Sequence, residues 1–213
     1  MFMFRKMQIL PALAGAAMVA LFAQDAWAGD SPWLVRLRGI ALVPDESSTV
    51  SVIGGSIEVD TAVVPELDIS YFFTDNIAVE LVLATTWHDV TDEGSTLGNV
   101  DLGEVSMLPP VLSLQYHFTP NSQFRPYIGA GVNYTIFYNE DAPGGTVVSI
   151  DYENSFGFAL QAGIDIGIND NWAINLDLKK LFLNTDVSLN GGAITADVDL
   201  DPWLIGLGVA HRY

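Results

Sequence analysis

The carboxyl-terminal stretch, residues 199–213 (DLDPWLIGLGVAHRY), decides the fold. Every second residue from Trp203 to Tyr213 is large and mostly apolar. The residues between them are small or charged in the carboxyl-terminal part of the stretch. A period of two residues predicts a β-strand, and one apolar face with a small or polar back indicates lipid outside and a lumen inside. An open strand edge is not stable in hydrocarbon, so this last strand has to pair with the first strand and close a barrel.

The composition fits one domain without spanning helices. The chain has 213 residues, of which 50% are hydrophobic and only 16% charged, and its formal net charge is -18. After the amino terminus, no run is long and apolar enough for a membrane helix, so the alternatives are a large soluble core and a β-barrel. The chain has no cysteine, which excludes disulfides and a thiol nucleophile. It has no basic stripe to meet phosphates, so we expect no nucleic-acid partner.

Residues 1–28 have the features of a signal peptide. Arg5 and Lys6 form a positive start, residues 9–23 are apolar, and Ala26-Trp27-Ala28 is a small-x-small cleavage site. The alternative is a membrane anchor, but the apolar run is short for one. We therefore expect export from the cytoplasm, and a mature domain that begins at Gly29 and covers residues 29–213.

Eight alternating segments predict an all-β fold, an eight-stranded antiparallel transmembrane β-barrel. Each segment has at least the roughly 9–11 residues that a tilted strand needs to cross a bilayer. The segments cover residues 33–43, 61–73, 77–88, 105–118, 124–138, 154–168, 172–185 and 199–213.

The connections alternate between short turns and long loops. The turns at 74–76, 119–123 and 169–171 consist of turn-forming residues. Short turns in the periplasm and long extracellular loops are typical of outer-membrane barrels. The four long loops are predicted at 44–60, 89–104, 139–153 and 186–198.

A soluble lipocalin-like barrel is the structural alternative. It would point the apolar face inward and leave the Gly-rich, charge-bearing face outside. Aromatic residues concentrate instead at the strand ends, as interfacial girdles do, which favours the membrane barrel. They are Trp33, Tyr71, Phe73, Trp87, Tyr116, Phe118, Phe124, Tyr138, Trp172, Trp203 and Tyr213.

Strand parity places charged residues of both signs in the periplasmic half of the lumen. Five positive and five negative groups meet there, where an unpaired charge would be costly. We expect a salt-bridge plug that blocks continuous water flow, formed by Arg36, Arg38, Glu66, Asp68, Glu80, Arg125, Asp165, Asp177, Lys179 and Arg212.

The upper half of the same inward face is apolar. Its residues either fill the narrow interior or line a pocket for a small apolar ligand above the plug. They are Ile40, Leu42, Val64, Val82, Ala84, Met107, Val111, Phe137, Leu181, Leu183 and Leu204.

Pro65, Pro109 and Pro110 lie within the upper parts of strands and cannot donate a backbone hydrogen bond to the ladder. They mark either a lateral opening to the lipid or only local irregularity.

The long loops and their flanks carry 17 acids and no Lys or Arg. Such a rim either holds divalent cations that bridge it to lipopolysaccharide, or is a solvated surface. No spacing resembles an EF-hand loop, so no metal site is assigned, and no cofactor is expected.

The sequence contains no recognisable catalytic motif. Its histidines lie on different strands without a nearby Ser and acid in such a motif; they are His88, His117 and His211. We therefore predict no enzyme activity.

Five stretches together resemble the OmpW family of small outer-membrane proteins, which includes the AlkL-type alkane-uptake proteins. They are PWLVR at 32–36, LPPVLSLQYHF at 108–118, FRPYIGAGVNYTIFY at 124–138, SFGFALQAGID at 155–165 and DPWLIGLG at 201–208. The terminal aromatic also resembles the signal that the barrel-assembly machinery recognises, although the family's usual Phe is Tyr213 here.

The resemblance implies an outer-membrane channel of a Gram-negative bacterium for passive uptake of small hydrophobic molecules. Such molecules would leave sideways through the wall into the bilayer. The expected partners are outer-membrane lipid, lipopolysaccharide and small apolar ligands. The alternative is a structural or surface-interaction barrel, such as a stress-response protein or a phage or bacteriocin receptor, whose lumen is packed.

Overall fold

A computed structural model describes residues 31–51, 54–96, 98–145 and 147–213. The predicted signal peptide at 1–28 lies outside these described residues. Pro32–Arg212 form one compact unit, to which the following description applies. Ser31 and Tyr213 belong to a second unit, in which the Ser31 amide donates to the Tyr213 carbonyl at 2.9 Å.

The described chain consists mainly of β-strands joined by turns. It contains no helix with the length and apolarity that a membrane crossing needs. The strands are β1 (Trp33–Val43), β2 (Ser47–Val50), β3 (Ser56–Val59), β4 (Ala62–Phe72), β5 (Ile77–Ala84), β6 (Thr86–Ser95), β7 (Gly98–Leu108), β8 (Val111–His117), β9 (Phe124–Asp141), β10 (Ile150–Tyr152), β11 (Ser155–Gly167), β12 (Trp172–Phe182), β13 (Asn184–Leu189), β14 (Ile194–Asp199) and β15 (Trp203–Arg212).

Eight of these strands form a closed antiparallel barrel. Their order around the wall is β1, β4, β5, β8, β9, β11, β12 and β15. The last strand closes the barrel on the first one, with a ladder that runs from Leu34–Arg212 to Val43–Trp203. The predicted fold class, strand number and pairing of the carboxyl-terminal strand are confirmed.

Alternation along each barrel strand separates a lipid-facing surface from the interior. On β15, Ile205 and Leu207 are exposed on the outside, whereas Leu204 is buried. At the end that carries the short turns, outward aromatic rings pack edge to face, with centroids 4.9 Å apart for Trp33–Tyr71 and 5.2 Å apart for Tyr71–Phe73. Such rings suit the boundary between hydrocarbon and water.

The segments predicted as long loops contain strands that continue the wall. The first extension sheet has the order β10-β13-β14-β2, and the second extension sheet consists of β3, β6, β7 and the end of β9. Both sheets alternate: on β13, Val187 and Leu189 are buried while Asp186 faces out. The interpretation of these segments as loops was incomplete, because they form strands in which acids such as Asp186 and Asp197 occupy outward positions, whereas Asp92 is buried.

The two extension sheets meet along two seams where side chains accept the backbone hydrogen bonds. At the first seam, between β2 and β3, the Ile57 amide donates to Ser48 Oγ at 2.7 Å and the Val59 amide donates to Glu46 Oε1 at 3.2 Å. At the second seam, between β9 and β10, the Tyr152 amide donates to Glu140 Oε1 at 3.3 Å. These seams hold the extension together with fewer backbone hydrogen bonds than a ladder has.

Candidate functional site

The barrel interior has a polar half near the short turns and an apolar half near the extension sheets. We call the polar half the plug and the apolar half the upper chamber. On β1 the change occurs between Arg38 and Ile40, and on β12 between Lys179 and Leu181. All four side chains point inward and are buried, so the two halves share the same strands and the same face.

Arg36 is the lower centre of the plug. Its guanidinium forms a two-bonded pair with Asp165, from Nε to Oδ1 at 3.1 Å and from Nη2 to Oδ2 at 2.8 Å. Its Nη1 also donates to Asp68 Oδ1 at 3.1 Å and to Ser70 Oγ at 3.0 Å, and lies 3.4 Å from Glu80 Oε1. A planar guanidinium can serve several acceptors at once, which is why arginine suits this position.

Arg38 is the upper centre of the plug. Its Nε donates to Glu66 Oε1 at 2.7 Å, and its Nη1 donates to Asn175 Oδ1 at 3.0 Å and lies 3.3 Å from Asp177 Oδ2. Its Nη2 pairs with Asp68. The ammonium of Lys179 lies 3.6 Å from Glu66 Oε2 and 3.7 Å from Asp177 Oδ1.

Neutral polar side chains complete the network. The Tyr127 hydroxyl donates to Asp177 Oδ2 at 2.6 Å, and Gln161 Nε2 donates to the same oxygen at 2.8 Å. The Tyr127 ring also lies under Arg36, 5.0 Å from the guanidinium carbon. Tyr127 was missed by sequence reasoning. It has the same parity as Arg125 on this strand, so the sequence predicts that its side chain points inward.

Two residues assigned to the plug lie at its edge instead. Arg125 is half-buried, and its Nε donates to the Ser122 carbonyl in the adjacent turn at 2.9 Å. Arg212 is also half-buried, with its guanidinium carbon 4.4 Å from the centre of the Phe72 ring. Both have the predicted parity, but they stand near strand ends, where a long side chain reaches turn atoms and the rim. Among the described residues, the buried ion pairs given above are formed by Arg36, Arg38 and Lys179.

The upper chamber brings together all eleven residues predicted to face the apolar lumen. Each is buried in one continuous apolar cluster. The cluster continues into the extension sheets, whose contribution sequence reasoning missed. The added residues are Val50, Ile57, Val90, Leu102, Val105, Val147, Ile150, Val187, Leu189, Ala196, Val198 and Leu200. Their alternation with acids was the available signal, since alternation marks strands whatever the polarity of the outer face.

The upper chamber is closely packed. One cavity of about 20 Å³ lies between the two extension sheets, and its lining includes Ile57, Leu102 and Val198. A second cavity of about 10 Å³ is lined by Leu42, Pro109 and other apolar residues. Volumes of this size accommodate a single water-sized molecule. Neither of these two cavities has space for a larger guest in this conformation.

The prolines predicted to mark an opening lie where barrel ladders end. Pro65 is exposed and stands one residue beyond Glu66–Ala84, the last pair of the β4–β5 ladder. Pro109 and Pro110 fill the interval between β7 and β8, and Pro109 is buried against the second cavity. The β4–β5 and β5–β8 hydrogen-bond ladders thus end at the level of the upper chamber.

His88 has a structural role in the extension. Its Nδ1 lies 2.7 Å from the Asp60 carbonyl oxygen, and its Nε2 lies 2.9 Å from Thr86 Oγ1. Both ring nitrogens are therefore engaged in the buried wall.

The outward acids form like-charge cross-strand pairs, such as Asp186 opposite Asp197. Among the described residues, no three His, Asp or Glu side chains are grouped so that they could hold a metal ion.

Comparison with known proteins agrees with this architecture. The OmpW family model matches residues 29–213. The chain belongs to the OmpW family. This family member is 43% identical over 190 residues to the uncharacterized outer-membrane protein y4mB of Sinorhizobium fredii, covering 87% of this chain and 82% of that one. It is 32% identical to outer membrane protein W of Vibrio cholerae, covering 96% and 97% of the two chains.

Another relative of this OmpW-family chain is the dibenzothiophene metabolism operon protein PahQ of Pseudomonas aeruginosa. The identity is 32%, over 90% of this chain and 93% of PahQ. Among solved structures, the outer membrane protein OprG from Pseudomonas aeruginosa superposes with a TM-score of 0.78 at 30% identity, covering 89% and 99% of the chains. The outer membrane protein AlkL superposes with a TM-score of 0.68 at 25% identity, covering 90% and 94%.

These similarities confirm the predicted family and the predicted location. The protein is an outer-membrane β-barrel of a Gram-negative bacterium. Its relatives and structural neighbours are outer-membrane barrel proteins rather than enzymes.

Proposed function

We propose that this OmpW-family barrel is a passive conduit for small apolar molecules across the outer leaflet. The observation that carries the proposal is the position of an apolar chamber directly above a buried layer of charge. An apolar solute gains about 25 cal/mol for each Å² of apolar surface that it buries. The chamber therefore attracts it, whereas the plug opposes its passage because the solute would displace hydrogen bonds between charged groups.

The exit that remains is through the wall. We propose that the solute leaves near Pro65 or near Pro109-Pro110, where the ladders end at the level of the chamber. Escape into lipid keeps the solute in an apolar environment throughout. The names of relatives support an apolar substrate class, since PahQ is named for a dibenzothiophene metabolism operon.

Entry requires the packed chamber to expand. The two seams are the places where this needs the fewest broken backbone hydrogen bonds, since Ser48, Glu46 and Glu140 side chains accept them there. We propose that separation of the extension sheets along these seams admits the solute. The side chains of the chamber are apolar and can repack around a guest that replaces their contacts.

The experiment is uptake of a labelled apolar compound by cells that express matched amounts of folded barrel. Val82→Asp and Leu183→Asp place a charge in the chamber and should slow uptake. Val148→Asp is the matched control, because Val148 is 68% exposed in a loop of the extension and faces away from the chamber. If both chamber variants match the wild type, and the wild type matches cells without the protein, the conduit proposal is wrong.

A structural or surface-interaction barrel is the second candidate. The small cavities of about 20 Å³ and 10 Å³ favour it, because a lumen that only packs needs no larger space. In that case the acidic outer face of the extension would be the binding surface, and divalent cations would link it to lipopolysaccharide. Loss of barrel retention at the cell surface on chelation, without any change in apolar uptake, would support this candidate.

A further inference from the structure

Asp92 is a buried acid of the extension, on β6 and outside the eight barrel strands. Its side chain shares the inner face of β6 with Val90 and is only 1% exposed. Its neighbours across the two ladders are Ile57 on β3 and Val100 on β7. An ionised carboxyl group in such apolar surroundings is costly unless hydrogen bonds or a counter-charge compensate it.

The Asp92 carboxyl group lacks hydrogen bonds that would compensate it. Neither of its oxygens has a hydrogen-bond partner among the described residues. The nearby Ser95 hydroxyl donates its one proton to the Gly98 carbonyl at 2.6 Å. Burial raises the pKa of Asp92, and the Ser95 side chain lowers it by a smaller amount. The folded extension therefore disfavours the ionised form.

β3 is the strand that covers this carboxyl group. Gly55 directly precedes β3 with a φ of 99°, and a Cβ at this position would overlap Asp92 Oδ1. β3 has only four residues and pairs with β6 from Ser56–Glu93 to Val59–Val90. Its other edge is the first seam, where two side chains accept its amide hydrogen bonds. β3 is therefore held by one short ladder and two side-chain acceptors.

β3 also forms part of the wall of the upper chamber. Ile57 and Val59 line the larger cavity together with Val90 of β6. Movement of β3 away from β6 would uncover this cavity and the Asp92 carboxyl group at the same time. One displacement would thus open the chamber and hydrate the buried acid.

We propose that β3 is a gate of the upper chamber and that the negative charge of Asp92 favours its open position. With β3 closed, an ionised Asp92 is buried without a partner, whereas with β3 open it is solvated. A neutral side chain at position 92 lacks this preference. The inference rests on the proposed conduit function, because it names the element that moves when a solute enters.

The other titratable groups of the strands beside Asp92 do not compensate its charge. The stretches 44–60 and 86–104 contain no Lys or Arg. His88 shares the inner face of β6, but its ring nitrogens contact the Asp60 carbonyl and Thr86 Oγ1. The remaining groups are acids at exposed or half-buried positions; they are Glu58 on β3, Asp89 and Glu93 on β6, and Asp101 and Glu104 on β7.

The direction of the pH dependence follows from the raised pKa. The closed state binds the Asp92 proton more strongly than the open state, where the solvated group has an ordinary pKa of about 3.9. The closed state is therefore favoured below the ordinary value, and this advantage is lost as the pH rises through the raised value. At neutral pH the gate is open more often than it would be with a neutral residue at position 92.

The first test measures hydrogen exchange of the Ile57 and Val59 amides in lipid nanodiscs, with each variant compared with the wild type at the same pH. Asp92→Asn should slow this exchange severalfold at neutral pH. It should have no effect at about pH 3, where the wild-type carboxyl group is also neutral. Asp92→Val removes the polar group altogether and should slow the exchange at neutral pH as well.

The matched control is Glu58→Gln, which removes an exposed carboxyl group from β3 itself. It should leave the exchange of the β3 amides unchanged. The Tyr152 amide at the second seam is the internal control, and its exchange should be the same in all variants. Exchange at β3 that neither Asp92 variant slows, or that Glu58→Gln slows equally, overturns the inference.

The second test separates the gate from the conduit. Uptake of a labelled apolar compound, by cells with matched amounts of folded barrel, should be slower with Asp92→Asn than with the wild type and unchanged with Glu58→Gln. Slower exchange at β3 without slower uptake overturns the role of β3 as a gate. If wild-type uptake equals that of cells without the protein, the conduit proposal fails, and the exchange experiment still decides whether Asp92 controls β3.

Discussion

The plug and the upper chamber are built from the same strands and differ in how each tolerates change. Arg38 and Ile40 are neighbours on the inner face of β1, as are Glu80 and Val82 on β5. Around Arg38, four acids each have a defined distance and direction. Ile40 belongs to a cluster of apolar side chains, whose contacts have no directional requirement. The plug therefore specifies one arrangement, whereas we expect the chamber to tolerate repacking more readily.

The physical reason is the cost of an unpaired group. Removing one partner of a buried ion pair leaves a charge without solvent or counter-charge, which costs about 3–5 kcal/mol. Removing an aliphatic group leaves a cavity, which neighbours or a guest molecule can fill. A barrel that admits apolar molecules needs an adaptable apolar chamber in its upper half and a fixed network of charges in its lower half. Three substitutions test this difference, from the largest expected effect to the smallest.

Arg38→Ala should break the plug. It leaves Glu66, Asp68 and Asp177 without their common cation and should lower the free energy of unfolding by about 3–5 kcal/mol. Arg125→Ala is the matched control, because Arg125 is half-buried at the edge and contacts a turn carbonyl. The measurement is urea unfolding in lipid vesicles. An Arg38→Ala midpoint equal to that of Arg125→Ala would show that the network is not dry.

Leu181→Ala should damage the chamber in a reversible way. Leu181 is fully buried, and its truncation should cost about 2–5 kcal/mol, partly because a cavity remains. A small apolar compound should fill that cavity and return much of the lost stability, as measured by thermal unfolding with and without the compound. Arg38→Ala should not respond to the same compound. A Leu181→Ala barrel that the compound does not stabilise would contradict the view of the chamber as adaptable.

The smallest effect concerns Lys180, which points outward one residue after the buried Lys179. Its ammonium donates to Asp45 Oδ2 at 2.8 Å, and Asp45 is exposed. This bond and the Lys180 charge lower the pKa of Asp45, with a smaller contribution from the Trp203 side chain. The pair therefore stabilises the fold above the usual Asp pKa and loses this effect as the pH falls through the lowered value.

Lys180→Ala should raise the pKa of Asp45 toward its ordinary value and change the urea midpoint only slightly, because exposed pairs are screened by water. The Asp45 carboxyl resonance followed by NMR against pH measures the first quantity. Lys179→Ala is the contrasting variant, since it leaves buried acids unpaired and should lower the midpoint strongly. Equal midpoints for the two lysine variants would contradict the separation of inner and outer faces.

The strand parity of this chain could be predicted from the sequence, and with it most of the site. The alternation around Arg36, Arg38 and Ile40 predicts one inward face for charged and apolar residues alike, and these three side chains are buried. The extension strands could not be recognised as easily, since their outer faces carry acids that also suit loops. Parity also could not show that Arg125 and Arg212 stop at the rim, because parity gives the face and not the height at which a side chain ends.

By itself the sequence determined the barrel, its closure by the last strand and the division of its interior into two halves. These follow from a period of two residues and from the requirement that every strand edge be paired in lipid. Only the tertiary structure decided which charges meet, how closely the chamber packs and where side chains replace the ladder at the seams. Those properties depend on distances between strands that are far apart in the chain, such as Arg36 on β1 and Asp165 on β11.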